Sequence, residues 1–349
     1  MVRLTIILAT WTFIVVSMTG CARQMAIDPG IAKVEIVWPA RPEVPRIRYL
    51  YSISSAEDID IRPGLLGRIA RFFKGEEERR IVRPYGVRKD AVGRLYIVDT
   101  FYRRVHVFDR ENAAHYMFPD PGLKEFRNPV DVTIGLNGQV YVSDSESGLI
   151  HVFTDGGKQY IKSIGYGELE RPTGMTINSE DNQLLVTDTL ASSLVIFDEK
   201  KLKITAVVGT ESDMKTGFHS PTNITLGKDG NIYVTDALNF RVQVLNREYE
   251  FIQAFGSAGD SPGHFSRPKG IATDSEGNIY VVDALFGNVQ IFDTKNRLLL
   301  AFGKPGHKPG EFWLPNAIFI DKEDRIYISD AYNQRLQVFQ YLPYGDAPL

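Results

Sequence analysis

"SEGNIYVVDALFGNVQIFD" (residues 275–293) has a near copy 47 residues upstream, "KDGNIYVTDALNFRVQVLN" (residues 228–246). Both carry short apolar runs rich in Val, Ile, Tyr and Phe, the composition of strands. Glu276-Gly277 and Asp229-Gly230 suit hairpin turns that need positive φ. Widening the search finds six copies, from "RPYGVRKDAVGRLYIVDTFYRRVHVFD" (residues 83–109) to "LPNAIFIDKEDRIYISDAYNQRLQVFQ" (residues 314–340). Each opens on a proline: Pro84, Pro129, Pro172, Pro221, Pro268 and Pro315, spaced by 45, 43, 49, 47 and 47 residues. Each also carries one aspartate in register: Asp99, Asp144, Asp188, Asp236, Asp283 and Asp330.

Within a copy the pattern reads strand, turn, strand, turn, strand, and a fourth, outer strand follows, as in "LLLAFG" (residues 298–303). Each unit is therefore expected to be a four-stranded antiparallel sheet. Such a unit cannot cover both of its faces alone, and four-stranded repeats of 40–50 residues are the pattern of propeller blades. The last copy stops after its third strand at Gln340, whereas "RIRYLYSI" (residues 46–53) precedes the first copy and is strand-like. Pairing these two stretches would complete blade 6 and leave no open edge. The fold expected is all-β: a six-bladed propeller over residues 46–345, closed by an N-terminal strand in the last blade and monomeric.

Motif by motif the copies resemble the NHL-repeat family, whose blades carry P-x-G, then G-x-I-Y-V-x-D, then R-V-Q-V-F. The segments from Phe255 to Phe265 and from Phe302 to Phe312 match its F-G-x-x-G-x-x-x-G-x-F joint, and the resemblance covers residues 84–340. Leu185 departs from it, standing where the tyrosine is usual. The resemblance implies an interaction platform, although related propellers also host hydrolases and lyases.

The first twenty residues read as an export signal: Arg3, an apolar run from Leu4 to Val16, and Met18-Thr19-Gly20 leading to Cys21. Cys21 is the only cysteine and so cannot form an internal disulfide. "MTGC" resembles the lipobox of bacterial lipoproteins, which implies lipidation at Cys21; an ordinary cleaved signal and an uncleaved anchor are the alternatives. Several acyl chains at about 0.8 kcal/mol per buried methylene would hold the protein on a membrane without spanning it. Ala22 in place of Asp implies, by the same resemblance, an outer-membrane destination. Residues 21–45, with Pro29, Pro39, Pro42 and Pro45, read as a tether.

A formal net charge of −3, and no block of Lys and Arg, makes nucleic acid a poor partner. RNA binding, known in some eukaryotic NHL proteins, conflicts with both the charge and the export signal. The partner expected is a protein or polymer of the cell envelope.

The six aspartates invite a cation-binding reading. One identical residue per blade instead fits a structural part, in which the carboxylate accepts backbone N–H bonds in the turn from the second strand to the third. Asymmetry is more informative. Two residues past each proline stand Gly86, Asp131, Gly174, Asn223, Gly270 and Ala317. Asp131 and Asn223, with Arg88 and Asn316 nearby, form a candidate ligand site at the channel mouth. Six-bladed lactonases and lyases resembling this architecture hold a metal there, but calcium takes six or more oxygen ligands and zinc chemistry needs converging histidines. His106, His115, His151, His219, His264 and His307 do not share a channel position, and no nucleophile constellation is visible. No metal, cofactor or catalytic residue is assigned.

One insertion, "RPGLLGRIARFFKGEEERR" (residues 62–80), departs from the repeat. Leu65, Leu66, Ile69, Phe72 and Phe73 fall on one helical face, which predicts an amphipathic helix. It could pack on the propeller, dock a partner, cover the channel or touch a membrane. Two functional readings remain: a membrane-anchored noncatalytic binding platform, and a channel-mouth hydrolase or lyase that uses Asp131, Asn223 and Arg88.

Overall fold

The computed structural model describes residues 35–61, 80–120, 122, 125–209 and 216–343. The export segment, Cys21 and the helix expected over residues 62–80, with Leu65, Leu66, Ile69, Phe72 and Phe73, lie outside these apart from Arg80. Among the described residues the helical elements are four short 3-10 turns.

Six antiparallel sheets follow one another along the chain. Blade 1 comprises Pro84–Lys89, Leu95–Asp99, Arg104–Asp109 and Ala114–Phe118. Blade 2 comprises Pro129–Ile134, Val140–Asp144, Leu149–Thr154 and Gln159–Ile164. Blade 3 comprises Pro172–Asn178, Gln183–Asp188, Ser193–Asp198 and Lys203–Val208. Blade 4 comprises Pro221–Leu226, Ile232–Asp236, Arg241–Leu245 and Phe251–Phe255. Blade 5 comprises Pro268–Thr273, Ile279–Asp283, Asn288–Phe292 and Leu298–Phe302. Blade 6 takes Pro315–Ile320, Arg325–Asp330 and Arg335–Tyr341 from the end of the chain and Ile47–Ile53 from its beginning.

The closing pair has the expected register, with Tyr49 opposite Phe339 and Tyr51 opposite Val338. The expected tether, residues 21–45, needs correction at its end. Val37–Trp38 forms a fifth strand on blade 6, with Val37 opposite Arg48 and Trp38 opposite Ile47. The physical reason is Trp38, whose ring centroid lies 5.6 Å from that of Phe302 and 5.8 Å from that of Phe339, over the seam between blades 5 and 6.

The middle strands are buried on both faces, which is why they read as continuous apolar runs. Six apolar cores fill the six seams between blades. In one of them Val132 and Val142 of blade 2 meet Tyr96 and Val98 of blade 1; in another Leu336 and Val338 of blade 6 meet Val87 and Ile97 of blade 1. Around the axis the inner strands approach backbone to backbone. A Cβ on Gly174 would lie 2.7 Å from the Asn223 Cα, and one on Gly270 would lie 2.8 Å from the Ala317 Cα. Hydroxyls staple some of these edges: Ser143 donates to the Thr173 carbonyl (2.7 Å), Thr187 to the Thr222 carbonyl (3.2 Å), and Ser329 to the Tyr85 carbonyl.

Two substitutions test this account in thermal and chemical unfolding. Gly174→Ala forces neighbouring backbones apart and is expected to cost about 1–3 kcal/mol. Trp38→Ala is expected to cost about 2–3 kcal/mol, a little below the range for a fully buried aromatic. Unfolding as in the wild type for Trp38→Ala would show that the fifth strand adds nothing to closure.

Candidate functional site

The six turn aspartates lie at one end of the ring, each fully buried at the end of the second strand of its blade. Asp99 accepts from the backbone N–H groups of Val82 (2.7 Å) and Arg83 (3.2 Å) upstream, and of Phe101 (2.9 Å) and Tyr102 (3.3 Å) downstream. Asp188 does the same with Glu170 (2.7 Å), Arg171 (2.9 Å) and Ala191 (3.2 Å), and Asp283 with Ser266 (2.7 Å), Arg267 (3.2 Å) and Leu285 (3.0 Å). One carboxylate thus ties the chain running into the inner strand to the turn between the second and third strands. Those are the two segments that form this face of the propeller.

Strand-three residues complete the arrangement differently around the ring. His106 Nε2 lies 3.5 Å from Asp99 and His151 Nε2 lies 3.5 Å from Asp144. In blades 4 and 6, Gln243 and Gln337 donate to Asp236 (3.1 Å) and Asp330 (3.0 Å), joined by Arg241 (2.9 Å) and Arg335 (2.8 Å). Burial alone would raise the Asp144 carboxyl. The imidazole of His151 and the N–H groups of Asn128, Arg127 and Ser147 outweigh it and hold the group well below the usual carboxylate range.

On this face a cavity of about 420 Å³ occupies the channel mouth. Asp131, Asn223 and Asn316, three of the four residues singled out from sequence, line it. Arg88 is not among the lining residues. It sits deeper in the channel, where its guanidinium donates to the Met175 carbonyl of blade 3 (3.0 Å) and lies 5.5 Å from the Phe319 ring centroid of blade 6. Blades 1 and 3 are not neighbours, so the side chain reaches past blade 2 across part of the channel.

Asp131 is 7% exposed, and its carboxylate accepts from the Met175 N–H at 2.8 Å. A Cβ on Gly86 would lie 2.5 Å from Asp131 Oδ1, so the glycine makes room for the acid. Burial raises the Asp131 carboxyl, a shift that the Arg88 charge and the Met175 bond only partly offset. Among the described residues no histidine, cysteine or glutamate lines the cavity. Nor do any three described His, Cys, Asp or Glu side chains converge as metal ligands would.

Two features of the face escaped the sequence reading. Arg83, Arg171, Arg267 and Lys269 all line the mouth, and among the described residues none of them forms an ion pair. The signal was an Arg-Pro at the start of copies 1, 3 and 5. Around the mouth, the residue two past each turn aspartate is large and apolar in five blades: Phe101, Leu190, Leu238, Leu285 and Tyr332, each 51–59% exposed. Glu146 takes that place in blade 2. Trp313, also exposed, lies beside Tyr332 with ring centroids 5.4 Å apart.

Comparison with known proteins agrees with this architecture. Residues 126–153 match the NHL repeat and residues 272–344 match the sequence family described as 6-bladed beta-propeller. The E3 ubiquitin-protein ligase NHLRC1 of Homo sapiens is 33% identical over 121 residues, which are 34% of this chain and 30% of that protein. The chain spans 30% or less of the length of the curated relatives it matches. Among solved structures, virginiamycin B lyase from Staphylococcus aureus superposes with a TM-score of 0.56 at 16% identity, over 76% of this chain and 97% of the lyase. An auxiliary nutrient binding protein from Bacteroides thetaiotaomicron gives a TM-score of 0.59 at 13% identity, over 74% of this chain and 69% of that protein. The chain is thus a six-bladed propeller with NHL repeats, and a lyase and a binding protein share that fold.

The two carboxylates predict opposite pH behaviour. Asp144, depressed on folding, adds stability that is present above its unfolded pKa of about 3.9 and is lost as the pH falls through its folded value. Asp144→Asn is therefore expected to be roughly 1–3 kcal/mol less stable at pH 7, and to lose less further stability than the wild type between pH 5 and 3. Asp131, raised on folding, destabilises above its folded pKa and ceases to do so as the pH falls through it. Asp131→Asn is expected to be at least as stable as the wild type at pH 8, its advantage shrinking toward pH 4. Urea unfolding at these pH values measures both, and parallel pH profiles for the two variants would contradict the assignment.

Proposed function

We propose that this protein is a noncatalytic binding platform, held on a membrane of a bacterial cell envelope through an acylated Cys21. Its face of turns between second and third strands receives a protein partner. The observation that carries the reading is the ring of exposed apolar side chains, Phe101, Leu190, Leu238, Leu285 and Tyr332, around the mouth. Large apolar side chains repeated at one position in five blades and held in water on a rigid frame favour association, and the aromatic members Phe101, Tyr332 and Trp313, beside arginines, are residue types enriched at interface centres. A surface polymer is a poorer fit to leucines than a protein is, because leucine offers no flat face for a sugar ring.

The rival, a channel-mouth hydrolase or lyase, has less support. A general acid or base must reach the substrate. Asp131, the acid in the mouth, is largely covered by Gly86 and spends its carboxylate on Met175. Arg88 spends its guanidinium across the channel. The export signal and the lipobox resemblance at Met18–Cys21 support the envelope location, with Ala22 pointing to the outer membrane.

The test is site-specific photo-crosslinking in intact cells. Probes at Leu190, Leu238 and Leu285 are compared with probes at Val92 and Leu136, which are exposed on the opposite face. One defined protein adduct, formed from the first set and not from the second, is expected. Equal labelling of both faces, or adducts with lipid alone, would remove the platform reading. Radiolabelled palmitate should enter the wild type and not Cys21→Ser.

A further inference from the structure

The mouth inside the apolar ring is cationic, although the chain as a whole carries a formal charge of −3. Arg83, Arg171 and Arg267 stand immediately before the inner-strand prolines of alternate blades, and Lys269 follows Pro268. All four line one cavity. The three arginines are exposed, and their backbone N–H groups are pinned by the buried carboxylates of Asp99, Asp188 and Asp283. The backbone of each arginine is therefore placed rigidly, whereas the guanidinium makes no ion pair with a described residue. Such an arrangement holds positive charge ready for a ligand.

Negative charge on the same face is placed elsewhere. Glu146 stands on the rim and Glu170 beside Arg171, both exposed and neither lining the cavity. The six turn aspartates are buried, and each accepts N–H bonds that offset its field. Asp131, also in the mouth, is 7% exposed and shifted toward its neutral form. A low-dielectric concavity with four such cations focuses potential on an anion.

Resting on the platform reading, we propose that the channel mouth is a receptor site for an acidic peptide segment of the protein partner, a loop tip or chain terminus rich in Glu and Asp. The arginine forks bind planar carboxylates through paired N–H bonds. Asn223 and Asn316 in the lining can satisfy the peptide's own amides. Arg88 lies below the mouth with its guanidinium engaged on the Met175 carbonyl, so the segment is taken up at the mouth. The rim distinguishes a peptide from other polyanions. Leu190, Leu238 and Leu285 suit apolar side chains flanking an acidic motif and offer a nucleobase no flat face, and a formal charge of −3 over the chain disfavours a long polyanion, so the aromatic rim residues Phe101, Tyr332 and Trp313 are left to the oligouridine comparison.

The experiment is fluorescence anisotropy on the purified full-length protein, with a labelled synthetic peptide of four glutamates flanked by Leu and Phe as the probe. Its Gln-for-Glu analogue, oligouridine, heparin and phosphatidylglycerol vesicles are the comparison ligands. The acidic peptide is expected to bind, to weaken about tenfold between 50 and 300 mM salt, and to prefer the protein at least tenfold over its Gln analogue. Arg171→Glu and Arg267→Glu should each weaken it about tenfold, Arg267→Gln less, and Lys295→Glu on the opposite face not at all, with melting temperatures confirming that each variant is folded.

No binding of the acidic peptide, unchanged binding by the Arg171 and Arg267 variants, or tighter arginine-dependent binding of oligouridine, heparin or vesicles would each overturn the proposal. If the peptide fails while rim crosslinks to a protein persist, the platform survives and this site falls. If the peptide binds while rim crosslinks are missing, the anion site stands and the platform falls.

Discussion

Every other feature of this molecule depends on ring closure. A single blade has two apolar faces and an exposed inner edge, so it is stable only with a neighbour on each side, and a linear array would leave two terminal blades uncovered. The chain resolves this by giving its last blade an outer strand from its own beginning. Tyr49 and Tyr51 lie opposite Phe339 and Val338, and unfolding either end of the chain therefore exposes the seams on both sides of blade 6. Val37–Trp38 extends the same lock, with an indole laid across the neighbouring seam. The cores of the six seams then act as one cooperative structure.

Closure creates the functional face as a by-product. The segments that run into the inner strands and the turns that leave the second strands come together at one end of the toroid, and a buried carboxylate in each blade ties the two. That carboxylate explains how an exposed arginine can have a fixed backbone and a head group with no ion-pair partner among the described residues. It also explains how a leucine two residues further on can stand in water without the turn collapsing over it. The variable residues are carried on an invariant frame, the arrangement expected when a scaffold supplies rigidity and loops supply recognition.

The repeat period, the strand pattern within each copy and the missing strand of the last copy were all legible, because a sheet buried on both faces writes its own apolar period. The turn aspartates were legible in kind: one carboxylate per blade signalled a backbone partner. Less was legible of the site. Asp131, Asn223 and Asn316 stood out because they break a glycine pattern, but Arg88 reads from the sequence as one more residue of the same mouth, and its reach to Met175, 87 positions away, depends on a curvature that local pattern does not encode. Trp38 was likewise hidden, since two residues of strand among prolines carry no period.

The residue order by itself determined the six-bladed ring, its antiparallel blades and its seam, because repeated burial on a fixed period leaves few ways to cover every face. Only the tertiary structure decided that Arg88 reaches to blade 3, that Asp131 is spent on the Met175 N–H, and which of the described cations form no ion pair with a described acid. Those properties depend on distances between residues of different blades, and such distances arise only once the circle is closed.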